Sequence, residues 1–207
     1  MSARAYHHGD LREALLDAAE ALVRERGVDG WSLREVSARV GVSPSAAYHH
    51  FRSRDDLVGT LSHRVLAQLG HRVRQAAQNA DGEDPRQRLI ALARSYVHWM
   101  RDDPAVAALS FRARHTAPET PIDPHPQDVL DDELERIGLP RDTGLLFWAA
   151  LHGQAVLLAD GLVRMDSASA VDRQTERLVR AMLTGLEQEP ADAERPRARS
   201  AHTERRG

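Results

Sequence analysis

The chain has 207 residues, 42% of them hydrophobic and 29% charged, with a formal net charge of −3. This is the profile of a soluble globular protein, long enough for one large domain or two small ones. The chain has no Cys, which excludes disulfides, thiolate nucleophiles and Cys-based zinc sites, and all 28 basic residues are Arg, which excludes a Schiff-base lysine. An acidic balance argues against a protein that coats nucleic acid uniformly, so any such contact has to come from a local patch. No apolar run approaches the length of a membrane span and the N-terminus lacks a signal-peptide core, so no membrane partner and a cytoplasmic address are expected.

The apolar spacing is helical nearly throughout, with no strand alternation and no internal repeat, which predicts an all-α fold. Leu11, Leu15, Ala18, Leu22 and Val23 stripe a first helix that Gly27 ends. Ser32-x-x-Glu35 is a capping box opening a short helix with Val36 and Val40, stopped at Gly41. Ser43 caps a second short helix with Pro44 at its first position, where a missing N–H costs nothing; Ala47 and Phe51 face inward. Ser53-x-x-Asp56 starts a long helix striped by Leu57, Leu61, Val65, Leu69 and Val73. Asp84-Pro85 opens another, carrying Leu89, Leu92, Tyr96, Val97 and Met100, and Asp103-Pro104 breaks it into a short helix ending near Phe111. A proline-rich loop from Pro118 to Pro126 leads to a helix with Leu130, Leu134 and Ile137, ended by Gly138. From Leu145 to Leu158 the sequence LLFWAALHGQAVLL is apolar almost all round, which requires cover on every side. A last helix carries Val171, Leu178, Val179, Met182 and Leu186, and the charged tail from residue 189 is expected to be disordered.

Two short helices joined by Gly41-Val42-Ser43 form a helix-turn-helix pattern, whose second helix enters the major groove of DNA. No Asp or Glu occurs between Val36 and Arg54, so an anion is not repelled there. Ser43, Ser45 and Ala46 are small enough for close approach, while Tyr48, His49, His50 and Arg54 carry donors for phosphate oxygens. The adjacent pairs His7-His8 and His49-His50 are poor chelators, because neighbouring side chains on a helix diverge by roughly 100°. No metal or other cofactor is expected, and no Ser-His-Asp order, phosphate loop or HExxH motif occurs.

The run Tyr6–Leu61 resembles the N-terminal domain of TetR-family transcriptional regulators, through Ala18-Ala19, Gly27, Ser32 to Val36, Gly41-Val42-Ser43, Tyr48-x-His50-Phe51 and Leu57. The resemblance covers about a quarter of the chain. It implies DNA contacts by Arg34, Ser43, Pro44, Ser45, Ala46, Tyr48, His49, His50 and Arg54, the last standing where the family usually has Lys. The segment FWAALHGQAVLL resembles the Trp-His-Gly segment of one branch of that family. The implied architecture is a helix-turn-helix domain over residues 1–53 and a helical ligand-binding and dimerisation domain over 54–188. The implied function is a non-enzymatic repressor that binds a pseudo-palindromic operator as a homodimer and is released by a small molecule. Expected cavity residues are Tyr96, Trp99, Met100, Phe111, Trp148 and His152. The last two long helices are expected to pair with their two-fold mates, with Leu151, Ala155, Leu158, Leu178, Met182 and Leu186 at the interface. A DNA-binding dimer without an effector and a His-based metalloenzyme stay open as alternatives.

Overall fold

The computed structural model describes residues 8–80, 84–111 and 121–188, with side chains placed from residue 11 onward. The sequence-expected tail from residue 189 lies outside the described residues. These contain helices and no strand: α1 (His8–Arg26), α2 (Leu33–Val40), α3 (Pro44–His50), α4 (Arg54–Gln78), α5 (Pro85–Asp102), α6 (Pro104–Ala107), α7 (Pro126–Ile137), α8 (Gly144–Ala159) and α9 (Ala168–Gln188). Short 3-10 turns follow α6 (Ala108–Phe111) and precede α8 (Arg141–Thr143).

Local chemistry sets the boundaries. The Ser32 side chain accepts from the Glu35 N–H while Glu35 accepts from the Ser32 N–H, completing the capping box at α2. Gly41 ends that helix at φ +80°, a left-handed conformation that a residue with a Cβ resists. Ser43 accepts from the Ala46 N–H, Ser53 from the Asp56 N–H and Asp84 from the Arg86 N–H, and prolines open α3 and α5.

Two apolar cores result, and α4 runs through both. The first gathers Leu15, Ala19, Val23, Trp31, Val36, Ala47 and Phe51 under the helix-turn-helix. It does not stop at residue 53: Leu57, Leu61 and Val65 of α4 belong to it, as do Val106 of α6 and Leu109 of the following turn. A block this small needs the additional burial to be stable. The second core packs Leu69, Val73 and Ala77 of α4 against α5, α7, α8 and α9.

Ion pairs fasten α1 to α4 and to the junction of α5 and α6. The Arg64 guanidinium on α4 reaches Asp17 at 2.7 Å and Glu20 at 2.6 Å. Glu20 also holds Arg24 at 2.6 Å, and Arg24 meets Asp103, at the start of α6, at 2.9 Å. Within the second core the half-buried Arg88 forks onto the buried Glu133 at 2.8 and 2.6 Å, which leaves neither charge uncompensated.

Gly70 of α4 is a packing requirement. A Cβ there would lie 1.8 Å from the Pro124 carbonyl oxygen, which belongs to the loop before α7. Gly70→Ala gains roughly 1 kcal/mol of helix propensity. The clash with rigid backbone outweighs it, and the expected net loss is about 1–3 kcal/mol of stability. Thermal unfolding checks this; an unchanged midpoint would mean that the loop yields freely.

Candidate nucleic-acid interface and effector site

Helix α3 has an inner and an outer face. Ala47 and Phe51 are fully buried, as their spacing predicts, and Phe51 also receives the Arg12 guanidinium 5.1 Å from its ring centroid. Ser43, Pro44, Ser45, Tyr48 and His49 are exposed, Ala46 and His50 half-buried. Tyr48 is 50% exposed, so it is no core aromatic. The exposed stripe is a ridge of small side chains at the helix start, followed by a phenol and an imidazole, with no carboxylate on the helix.

The guanidinium groups around this ridge differ in availability. Arg34 on α2 is exposed and has no ion-pair partner among the described residues. Arg39 is spent on Glu25 of α1 through two hydrogen bonds, one of 2.8 Å. Arg54 is partly engaged within the chain. Its Nε donates to the Trp31 carbonyl at 3.0 Å, its Nη2 donates to the Val28 carbonyl, and its head lies 4.6 Å from the Trp31 ring centroid. Carboxylates of Asp29 and Asp55 stand 3.5 Å away. The head therefore fastens the start of α4 to the loop between α1 and α2. Two of its five N–H donors are thus engaged by backbone carbonyls. Arg52, which sequence reasoning passed over, is exposed two residues beyond α3 and has no side-chain partner among the described residues. Its place beside the motif was a legible signal, masked by the family's habit of using the later position.

In the second core the structure gathers four of the six expected cavity residues. The Tyr96 hydroxyl is 3.0 Å from His152 Nδ1. Trp148 packs on Tyr96 with centroids 5.1 Å apart and lies nearly parallel to the His152 ring, at 10°. Phe111 covers His152 with centroids 4.7 Å apart. Burial pushes the Tyr96 phenol upward and the His152 imidazole downward from their ordinary pKa values, so both are neutral near pH 7. The enclosed space beside them, bounded by Val73, Leu92, Tyr96, Leu130, Trp148 and Leu151, is about 10 Å³, roughly one water. The other two expected residues are placed differently: Met100 is buried in the second core, as Tyr96 is, and Trp99 lines a cleft of about 300 Å³ with Arg24, Gln68, Arg72 and Asp103. Trp99 and Met100 follow Tyr96 by three and four positions and so share its face of α5, about one turn nearer the first core, against which Trp99 also packs.

The expected interface rows divide. Leu151, Ala155 and Leu158 are buried within their own chain, whereas Leu178, Met182 and Leu186 are half-buried against the same core. The outer face of α8 is instead Leu145, Leu146, Ala149, Gly153 and Leu157, exposed and apolar, with Leu145 71%, Leu146 53% and Leu157 43% exposed. The outer face of α9 carries a shallow groove of about 710 Å³ lined by Ala181, Thr184 and Gly185 and by the charged Arg173, Glu176, Arg177 and Arg180. Among the described residues no three His, Asp or Glu side chains converge as a metal set, and no helix is long and apolar enough to cross a membrane.

Comparison with known proteins agrees with this geometry. Residues 15–61 match the model of bacterial regulatory proteins of the tetR family, and residues 89–182 match the tetracyclin repressor-like C-terminal domain. An uncharacterised HTH-type transcriptional regulator of Mycobacterium tuberculosis is 31% identical over 96 residues, 46% of each chain. The HTH-type transcriptional regulator BetI of Rhizobium meliloti is 32% identical over 109 residues, 53% of this chain and 46% of BetI. The match thus spans less than half the length of these relatives. A Rhodococcus sp. RHA1 protein of unknown function shares 30% identity at a TM-score of 0.74, covering 90% of this chain and all of that one (100%). A TetR-family transcriptional regulator from Streptomyces coelicolor shares the fold, with 19% identity, a TM-score of 0.61, and 84% of this chain and 98% of that one covered. With an exposed, acid-free second helix on a helix-turn-helix, and matches to both the N-terminal and the C-terminal family domains, the chain belongs to the TetR family of bacterial transcriptional regulators.

Proposed function

We propose that this regulator binds a pseudo-palindromic operator as a homodimer and represses until a small molecule occupies the site around His152. The observation that carries the DNA contact is the outer face of α3. Ser43, Pro44, Ser45 and Ala46 let the backbone approach a groove, and Ser45, Tyr48 and His49 offer side-chain donors and acceptors. Arg34, Arg52 and His50 flank that face as phosphate contacts. A two-fold dimer through the outer faces of α8 and α9 presents two such helices, which is why the operator has two related half-sites.

The response to a ligand follows from eight residues. Between Pro104 and Phe111 the chain places Val106 and Leu109 in the core beneath the helix-turn-helix and rests Phe111 on His152. A molecule that displaces Phe111 moves a segment whose neighbouring side chains form the floor of the DNA-binding unit. To release DNA tenfold, it must favour the displaced arrangement by about 1.4 kcal/mol. A dimer without any effector is favoured by one observation, the small volume beside Tyr96; filled aromatic packing is equally what the unliganded, DNA-binding state of an effector site would show.

Genome-wide mapping of bound DNA, followed by fluorescence anisotropy on the sites found, tests the reading. Arg34→Ala and Arg52→Ala should each reduce the salt dependence of operator binding by about one unit of slope and weaken random DNA in parallel. Ser45→Ala and His49→Ala should relax sequence preference at individual base pairs, each by about 1–3 kcal/mol. Slopes unchanged in both Arg variants would remove this face of the protein from the DNA.

A further inference from the structure

The geometry points to an uncharged, planar aromatic molecule with one neutral hydrogen-bonding group, such as a phenol, an aryl ketone or an aryl amide, as the occupant of the Tyr96–Trp148–His152 site. The inference rests on the ligand-responsive reading above and names the chemistry of the ligand.

Shape comes first. Four rings meet here: Tyr96 with Trp148 at 5.1 Å, Phe111 with His152 at 4.7 Å, and Trp148 nearly parallel to His152. Flat π-systems satisfy such walls by stacked or edge-on contacts. Phe111 is the replaceable member. It is 44% exposed and sits at the end of a 3-10 turn, whereas Tyr96 is almost wholly buried. A ligand ring that exchanges with Phe111 against the imidazole keeps the ring-to-ring contact and gains the room that the space of about 10 Å³ lacks.

Polarity comes second. Neutral imidazole has one N–H and one bare nitrogen. If Tyr96 donates to Nδ1, the pair keeps a free Nε2–H donor and a free phenol lone pair. If Nδ1–H donates to Tyr96, the pair keeps a free phenol O–H and a bare Nε2. Either tautomer leaves one donor and one acceptor, so a single hydroxyl, carbonyl or amide on the ligand finds a partner.

Charge comes third. The side chains around the enclosed space carry none. Three ionic groups on α5, the helix that carries Tyr96, already have partners: Arg88 with Glu133 at 2.6 Å, Arg94 with Glu176 at 2.6 Å, and His98 with Asp172 at 2.7 Å. A carboxylate or ammonium on the ligand would lose its hydration and gain no counter-charge.

The test uses the full-length protein and three probes of one shape: 2-naphthol, 2-naphthoate and 2-naphthylmethylammonium, measured by calorimetry and by thermal unfolding followed by circular dichroism. At neutral pH, 2-naphthol should bind at least about tenfold more tightly than either ion, the cost of an unpaired charge exceeding one hydrogen bond. Tyr96→Phe should weaken 2-naphthol by up to about tenfold. Phe111→Ala should strengthen it severalfold by removing the competing ring. Either ion binding as tightly as 2-naphthol, or no probe binding at all, overturns the inference. If Tyr96→Phe fails to fold, the ranking of the three probes on the unaltered chain decides by itself. Selective 2-naphthol binding without release of operator DNA would uphold the ligand chemistry and overturn the effector reading. An ion that binds more tightly than 2-naphthol and releases operator DNA would do the reverse.

Discussion

Leu157→Glu and Leu146→Glu should each convert the protein to a folded monomer that has lost operator binding. Both side chains lie on the outer face of α8, 43% and 53% exposed in the single chain, and no charge shares that face with them. Between them on the same stripe are Ala149, Ala150 and Gly153, small enough for a partner helix to approach closely. Two-fold symmetry would bury each introduced carboxylate twice, at several kcal/mol per charge where α8 meets its own two-fold mate, a face with no basic residue to pair with it. The monomer's own core is untouched, so helicity should persist while molar mass halves, and operator affinity should fall at least about a hundredfold once two reading helices no longer act together. Leu151→Glu and Ala155→Glu should behave differently. Those positions are buried inside the chain, and a charge there should unfold it. Sedimentation and circular dichroism on the same samples separate the two outcomes. Dimers of normal operator affinity in both Leu146→Glu and Leu157→Glu would take the subunit contact away from α8.

Arg54→Ala should destabilise the helix-turn-helix without changing the number of phosphates contacted. The substitution removes two charged donors from the carbonyls of Val28 and Trp31 and a guanidinium from the Trp31 face. Hydrogen bonds from charged groups are worth about 1.5–3 kcal/mol each, and partial solvation of the carbonyls returns some of that. The expected loss is about 2–4 kcal/mol, a shift of several degrees in unfolding midpoint. Affinity for operator DNA should fall because α2 and α3 are no longer held at a fixed angle to α4. The slope of affinity against salt should stay the same, since that slope counts neutralised phosphates. A slope reduced by one unit with unchanged stability would return Arg54 to the DNA backbone. Arg54→Lys makes the comparison sharper: it keeps the charge but lacks the fork that reaches both carbonyls.

These two sites mark where reading the sequence succeeds and where it stops. The ends of α2, α3, α4 and α5 were legible because their causes are local. Ser32 with Glu35, Ser43 with Pro44, Ser53 and Asp84 act on N–H groups within three residues of themselves. The two faces of α3 were legible for the same reason, since Ala47 and Phe51 are apolar and Tyr48 and His49 are amphipathic or polar, four positions apart. The orientation of α8 was not. Its residues are apolar on nearly every side, so the helical period carries no information about which row points inward, and packing against α5 and α9 chose Leu151, Ala155 and Leu158. The direction of Arg54 was hidden because its acceptors lie 23 and 26 residues back along the chain.

By itself the sequence determined an all-α chain, a helix-turn-helix whose second helix is cleared of negative charge, and an apolar helix too hydrophobic to be left uncovered. Each follows from spacing, caps or composition within one element. Only the tertiary structure decided that Tyr96, Trp148, His152 and Phe111 meet while Trp99 faces another cleft, that Val106 and Leu109 complete the core beneath the DNA-reading helices, and that Arg54 holds two carbonyls while Arg52 has no side-chain partner among the described residues. These are relations between elements far apart in sequence. Their geometry comes from how whole helices pack, and no local pattern encodes it.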